Sequence, residues 1–333
     1  MQPISYNFLP SPTWRWMGLN SARAVLSLPE NRPQQTLEGA LCPGDAVPVD
    51  GSAGPELSAF LTDAGLPWDS YVLPQGAQGT LRLDFADAAG RTCLLAGAGS
   101  KLTVITRILP GNGQSIQELS LRAEEGAQVE IVQLVDAGSG KTCLSLGIEA
   151  GASAKVSIRQ IVLSGTDTAL GARTVLRGIG ANLDARIAYL AGDGQHVDMN
   201  WVVPHFGARS ESRIQCDGVL MGTGSKLFRG TIDFRAGCTG ARGAENEDVL
   251  LLSPDVHNQT IPVILCAEED VSGTHGASIG RLSQELLYYL SSRGLGEEDI
   301  TALLTRSRLS ACGAQIRDTA ARTWLMDRLG EEN

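Results

Sequence analysis

The stretch EEDVSGTHGASIG, Glu268 to Gly280, sets His275 between Gly273 and Gly276, directly after three acids. A neutral imidazole ligates iron or zinc, and flanking glycines let the backbone approach a bound group closely. The region from Cys238 to His275 also holds Glu245, Glu247, Asp248, His257, Cys266, Glu268, Glu269 and Asp270. No two of these show the tight spacing of a dedicated metal motif. Glu247 and His275 differ by 28 positions (275 − 247), close to the chain's repeat length, so they form a candidate metal pair expected to stack on neighbouring coils. Each also has a structural reading: Glu247 in ENEDVLLL as a solvated strand residue, Cys266 in PVILC as a small core residue, and the acidic run as a wet turn.

Two other strings suggest chemistry and fail on context. Gly138-Ser139-Gly140-Lys141-Thr142 resembles the end of a phosphate-binding loop, but the first glycine that loop needs is replaced by Val135. A strand and a glycine turn follow, where the anion would need a helix N-terminus. Gly276-Ala277-Ser278-Ile279-Gly280 matches the GxSxG nucleophile elbow, yet His275 is the last of the four histidines and no base follows Ser278.

The elements that must position His275 read as a repeat. Gly, a small or polar residue and then alternating β-branched residues recur from Gly99, Gly126, Gly151, Gly180 and Gly207, at steps of 27, 25, 29 and 27. Strands at this period without intervening helices indicate a β-solenoid, each coil burying its inward residues on the next. Val129 and Ile131 alternate with Gln128, Glu130 and Gln133, as a two-faced strand requires. A β-sandwich is the alternative with the same short strands and glycine turns. Three regions are expected: an irregular, proline-rich N-terminal segment over 1–75, a β-solenoid core over 76–280, and a helical C-terminal domain over 281–333. In the last, Ser283 caps a helix carrying Leu286, Leu287 and Leu290, with Gly294 as its stop. A second helical stretch opens on acids and places Ile300, Leu303 and Leu304 at helical spacing.

Composition removes several classes. The net charge of −10 offers no positive field for a nucleic-acid backbone. No run approaches the ~20 apolar residues of a membrane helix and the start carries no secretory pattern, so no membrane partner and a cytoplasmic location are expected. Seven cysteines, odd in number, scattered and never CxxC, argue against a disulfide framework or a zinc ribbon.

The residues Arg229–Phe234 (RGTIDF), Asp248–Ile264 (DVLLLSPDVHNQTIPVI) and Glu268–Leu295 resemble the SufB/SufD family of iron–sulfur cluster assembly scaffolds, as does the opening LPSPTWRWMGLN. The resemblance implies a right-handed parallel β-helix with a helical C-terminal domain. It implies a homodimer or a SufB/SufD-type heterodimer formed through the β-helices, and docking of a SufC-type ABC ATPase on the C-terminal helices. It places His275 at the family's ligand histidine for a transient iron–sulfur cluster. The position of the SufB cysteine falls on Glu247, in Asn246-Glu247-Asp248, while Gln215-Cys216-Asp217 looks like the SufB motif but lies upstream of Arg229. Gly273 stands where many SufD chains have cysteine, and Gly276 where SufB has glutamate, so the chain is the more SufD-like.

The leading expectation is a non-enzymatic scaffold, with ATPase activity in its partner. A carbohydrate-active β-helix enzyme is an alternative, for which the solenoid carries too few aromatic platforms. A purely structural SufD-like partner without metal ligation is the other.

Overall fold

The computed structural model describes residues 3–11 and 15–330. Pro12, Thr13 and Trp14, the centre of the opening resemblance, lie outside the described residues. The chain starts with an antiparallel pair, β1 (Ile4–Tyr6) and β2 (Ala22–Ala24), followed by β3 (Gln34–Gly39), β4 (Cys42–Pro43) and α1 (Pro55–Asp63). Strands then follow one another as β5 (Trp68–Leu73), β6 (Gln78–Phe85), β7 (Ala89–Ala96), β8 (Lys101–Ile108), β9 (Gln114–Ala123), β10 (Gln128–Asp136), β11 (Lys141–Ala150) and β12 (Lys155–Ser164). They continue as β13 (Asp167–Leu176), β14 (Asn182–Ala191), β15 (His196–His205), β16 (Glu211–Leu220), β17 (Ser225–Phe234), β18 (Ala241–Leu251), β19 (His257–Cys266) and β20 (Val271–Arg281). Even-numbered strands stack in one nine-stranded sheet ending in β3, and odd-numbered strands in a second ending in β4. From β5 onward all neighbours are parallel, which makes a two-sheeted β-solenoid of eight coils.

Alternation within each strand builds the core. On β10, Val129, Ile131 and Val135 point between the sheets, and their register neighbours Leu102, Val104 and Ile108 on β8 do the same. Each such side chain contributes about 1.5–3 kcal/mol on full burial. One corner is held by a column of left-handed residues, Gly99, Gly126, Ser153, Gly180, Arg209 and Gly240, each donating its N–H to a carbonyl of the next coil. The column steps by 27, 27, 27, 29 and 31, so the coil lengthens toward the C-terminal end. Two of these positions are not glycine. Gly151 and Gly207 therefore stand two residues ahead of the true corner, which accounts for the uneven steps of 25 and 29 read from glycines.

The outer faces are covered unequally. The N-terminal hairpin and α1 lie on the second sheet, where Leu57 and Leu61 pack on Ala89, Ile116, Cys143 and Ala169. Of the C-terminal helices α2 (Gln284–Ser292), α3 (Glu297–Gly313) and α4 (Thr319–Leu329), the last two pack on the first sheet, and α2 contacts α3. Ser283 caps α2 and Gly294, at φ 90°, follows its end, as the sequence indicates. The remaining helical stretch is broken into α3 and α4, because Asp318 caps a new helix through Ala321 N–H at 2.8 Å. Leu309, Cys312, Ile316 and Leu325 seat this pair on Ile105, Val132, Leu134 and Ile161. Ion pairs Arg82–Asp318 (2.8 Å), Arg308–Asp248 (2.9 Å) and Arg328–Asp136 (2.7 Å) fasten it from the first coils to the seventh. Helix α2 reaches no core: Leu286, Tyr288 and Tyr289 stay exposed.

Candidate functional site

Beyond β18 the solenoid loses its cover. Strand β20 pairs only with β18 and β19 only with β17, so both leave one edge unpaired, and nearly every residue of β20 is exposed. His275 lies in the middle of β20, exposed, on the row that faces between the sheets. Its register partner is Glu245, and Glu247 pairs with Ala277. The expected stacking of Glu247 directly on His275 is thus displaced by two residues, since the last coil is 30 residues long (275 − 245) where the sequence spacing suggests 28. The two acids share the inward row of β18, because residues two apart on a strand point the same way.

Glu247 is not a solvated residue. Its carboxylate is fully buried against the Lys226 ammonium on the facing sheet, and Thr260 donates to it at 2.6 Å while accepting from Lys226 at 2.9 Å. A buried carboxylate stays ionised only with such a partner and its remaining lone pairs satisfied. Glu245 is buried beside it and crosses toward the second sheet at Gly230, where a β-carbon would sit 2.0 Å from the Glu245 carboxyl. Burial, and then the neighbouring Glu247 charge, push the Glu245 carboxyl up to about 8, with Lys226 opposing. The glycine of RGTIDF is therefore the space that Glu245 occupies. Arg229 of the same string points outward, pairs with Asp198 at 2.7 Å and donates to the Leu19 carbonyl.

The row that contains Glu247 runs through the whole solenoid. In register it reads Thr106, Gln133, Gln160, Ile187, Cys216, Glu247 and Ala277. Gln160 donates to Gln133 at 2.5 Å, Gln133 to Gln117 at 2.8 Å, and Gln117 to Thr106 at 2.9 Å, a buried amide ladder along the axis. Gln215-Cys216-Asp217 stacks residue for residue on Asn246-Glu247-Asp248. The Cys216 thiol is pushed well up, by burial first and by Glu247 second, so it is held protonated.

The other expected ligands disperse. Cys266 is exposed and its thiol donates to the Glu268 carbonyl, Glu268 itself accepts from Gly237 N–H at 2.9 Å, Asp248 is held by Arg308, and Cys238 is buried at a corner. Among the described residues no group of three or more His, Cys, Asp and Glu side chains converges as a metal site. Gly273 faces the Phe234 ring, 2.9 Å from where a β-carbon would stand. Gly276–Gly280 is straight strand within β20, and Lys141 opens β11 rather than a helix, so neither rejected motif forms its loop. Reading the sequence misses Lys226 and Thr260. The alternation of Glu245, Glu247 and Val249 is the signal that would have placed both acids inside.

A family model described as "SUF system FeS cluster assembly, SufBD core domain" matches residues 82–308, about two thirds of the chain. The iron–sulfur cluster assembly protein SufD of Bacillus subtilis is 35% identical over 95 residues, covering 28% of this chain and 22% of that protein. An iron–sulfur cluster assembly SufBD family protein of Mycobacterium leprae is 33% identical over 97 residues, 29% of this chain and 11% of the relative. A SufBD family protein of Staphylococcus epidermidis is 33% identical over 81 residues, 24% of this chain and 17% of the relative. In each case the match spans less than a quarter of the relative's own length. Among the described residues, no helix is long and apolar enough to cross a membrane.

Proposed function

Because the chain belongs to the SufBD family of the SUF iron–sulfur cluster assembly system, we propose that it acts there as a scaffold subunit that pairs through the open end of its solenoid. The observation that carries this reading is the end itself. Strands β19 and β20, each the last strand of its own parallel sheet, stop with free edges at the same end of the solenoid. Long free edges are templates for strand pairing, and Ile279 adds an exposed apolar side chain at 46% exposure. A second copy, or a homologous SufB-type chain, placed edge to edge would continue both sheets and bury β20.

In that arrangement His275 faces the partner across the interface, with Glu245 and Glu247 behind it. Iron is the cargo: imidazole and carboxylate suit iron as a hard ion, whereas a cluster takes thiolates, which the partner chain would supply. Glu247 joins such a site only when Lys226 releases it, so Glu245 is the nearer companion of His275. Helix α2, with Leu286, Tyr288 and Tyr289 turned outward, is the surface for a SufC-type ATPase. Helices α3 and α4 would carry motion from that surface into the first sheet.

The test is anaerobic loading of the full chain and its partner with iron and sulfide, followed by visible absorption, for wild type and His275→Ala. The scaffold reading predicts an intact assembly whose iron–sulfur band is lost in the variant. An unchanged band would remove His275 from the site.

A further inference from the structure

The free edge of β20 presents its backbone groups in a fixed pattern. Arg242 on β18 donates its N–H to the Ser210 carbonyl of the preceding coil, and the Asp270 carbonyl accepts from Gly240 N–H. Backbone direction alternates along a parallel ladder, so Gly243 and Glu245 turn toward β20 and are met by Ser272, Thr274 and Gly276. The remaining residues, Val271, Gly273, His275, Ala277 and Ile279, therefore offer their N–H and C=O groups at the free edge, and they also carry the inward row of side chains. On β19 the N–H groups of His257 and Ala267 bond back to Gly224 and Phe234. By the same alternation Pro262 stands at that strand's free edge, with no N–H to donate.

Resting on the reading that the chain pairs through this end, we infer that its partner is a second copy of itself, joined β20 to β20 in antiparallel, full overlap with Gly276 on the two-fold axis. The seams favour this orientation. Rotated so that β20 met the partner's β19, the pair would carry Pro262 in both seams, whereas β20 against β20 leaves one seam whole. Charge favours it too: β20 is preceded by Asp270 and ends on Arg281, both exposed and neither in an ion pair among the described residues. Full antiparallel overlap pairs Val271 with the partner's Arg281, which brings Arg281 beside the partner's Asp270 at each end of the seam.

The inward side chains fix the register. In full overlap Gly273 meets the partner's Ile279 and His275 meets the partner's Ala277, small against large each time. Moved one way, the register sets His275 against itself and Gly273 against Ala277; moved the other way, it sets Ala277 against itself and His275 against Ile279. Large then meets large and small meets small. At full overlap the two His275 side chains stand diagonally across the seam, with β-carbons about 7–8 Å apart. The site at His275 is incomplete without the second copy, because each copy supplies one imidazole and one Glu245 carboxyl to it.

Single cysteines on the full chain read the register, in a background where the exposed Cys42 and Cys266 are serine. Gly276 would face itself as a non-hydrogen-bonded pair, with α-carbons about 4.5 Å apart, within disulfide reach. A β-carbon there meets only the Asn246 side chain, at 3.2 Å. Gly276→Cys, its folding checked by urea unfolding, should therefore give a covalent dimer under copper–phenanthroline at least about tenfold faster than Thr274→Cys or Ser278→Cys alone, whose copies lie about 14 Å apart. Mixing Thr274→Cys with Ser278→Cys should restore cross-linking, since those two positions face each other. Faster cross-linking of either single variant than of Gly276→Cys, or a dimer by mass in which none cross-links, would overturn the inference and leave the scaffold reading standing. Pairing only with a different SufB-type chain would do the same. A chain that pairs with neither would overturn both.

Discussion

Lys226→Met removes the ammonium that faces Glu247 while keeping a side chain of similar length, so packing against Phe228 is largely preserved. In the native chain the two charged side chains are 0% and 1% exposed. The variant leaves a carboxylate inside the solenoid with a single neutral donor, Thr260, and breaking a buried pair in this way costs about 3–5 kcal/mol. Against a typical folding stability of about 5–15 kcal/mol, this is a large fraction. Urea unfolding followed by tryptophan fluorescence reads it well, since Trp201 is buried in the same interior. The double variant Lys226→Met with Glu247→Leu takes away both charges and should recover at least about 2 kcal/mol of the loss. If Lys226→Met costs less than about 1 kcal/mol, or if Glu247→Leu restores nothing, the account of Glu247 as an internally neutralised carboxylate is wrong.

Two further outcomes follow from other parts of the fold. His205 is buried against Phe234 with its ring nitrogens 2.8 Å from the Ser210 and Ser212 hydroxyls, and burial holds its pKa down at about 4. The unfolded chain takes up that proton near 6.5 and the folded chain does not, so stability should fall by up to about 3 kcal/mol as pH drops from 6.5 to 4. Unfolding curves across that window should show a slope that His205→Asn flattens, and an identical slope in the variant would refute it. Asp318→Ala removes both the α4 cap and the Arg82 ion pair, at a cost of about 2–3 kcal/mol, and should speed amide exchange in Thr319–Leu329. Unchanged exchange there would mean that the helix is held by its apolar face alone.

Much of the architecture is legible from periodicity, because parallel coils repeat the same corner and the same inward alternation. Glycine spacing locates that corner only approximately. Ser153 and Arg209 occupy left-handed positions where glycine would be expected, so glycine counting gives 25 and 29 around Ser153 where the corner steps by 27 and 27, and 27 before Arg209 where it steps by 29. The same limitation affects the site. A spacing of 28 pairs His275 with Glu247, whereas the lengthened last coil sets Glu245 opposite it. Lys226 is not legible at all: it is 21 positions from Glu247 and meets it from the facing sheet, a distance that no strand period encodes. The α3–α4 break was hidden because Gly313–Asp318 keeps helix-forming residues on both sides, and only the Asp318 cap and its Arg82 partner fix the new start.

The central claim is that this chain is a scaffold which pairs through β19 and β20 and carries an ATPase on its helices. The most direct measurement is co-expression of the full chain with a SufC-type ATPase, with the mass of the purified assembly determined for wild type and for Ala277→Lys/Ile279→Lys. The account predicts an assembly holding two solenoid chains and the ATPase for wild type, and a single solenoid chain still bound to the ATPase for the variant. A chain that stays alone in both cases, or an assembly of unchanged mass in the variant, would contradict it.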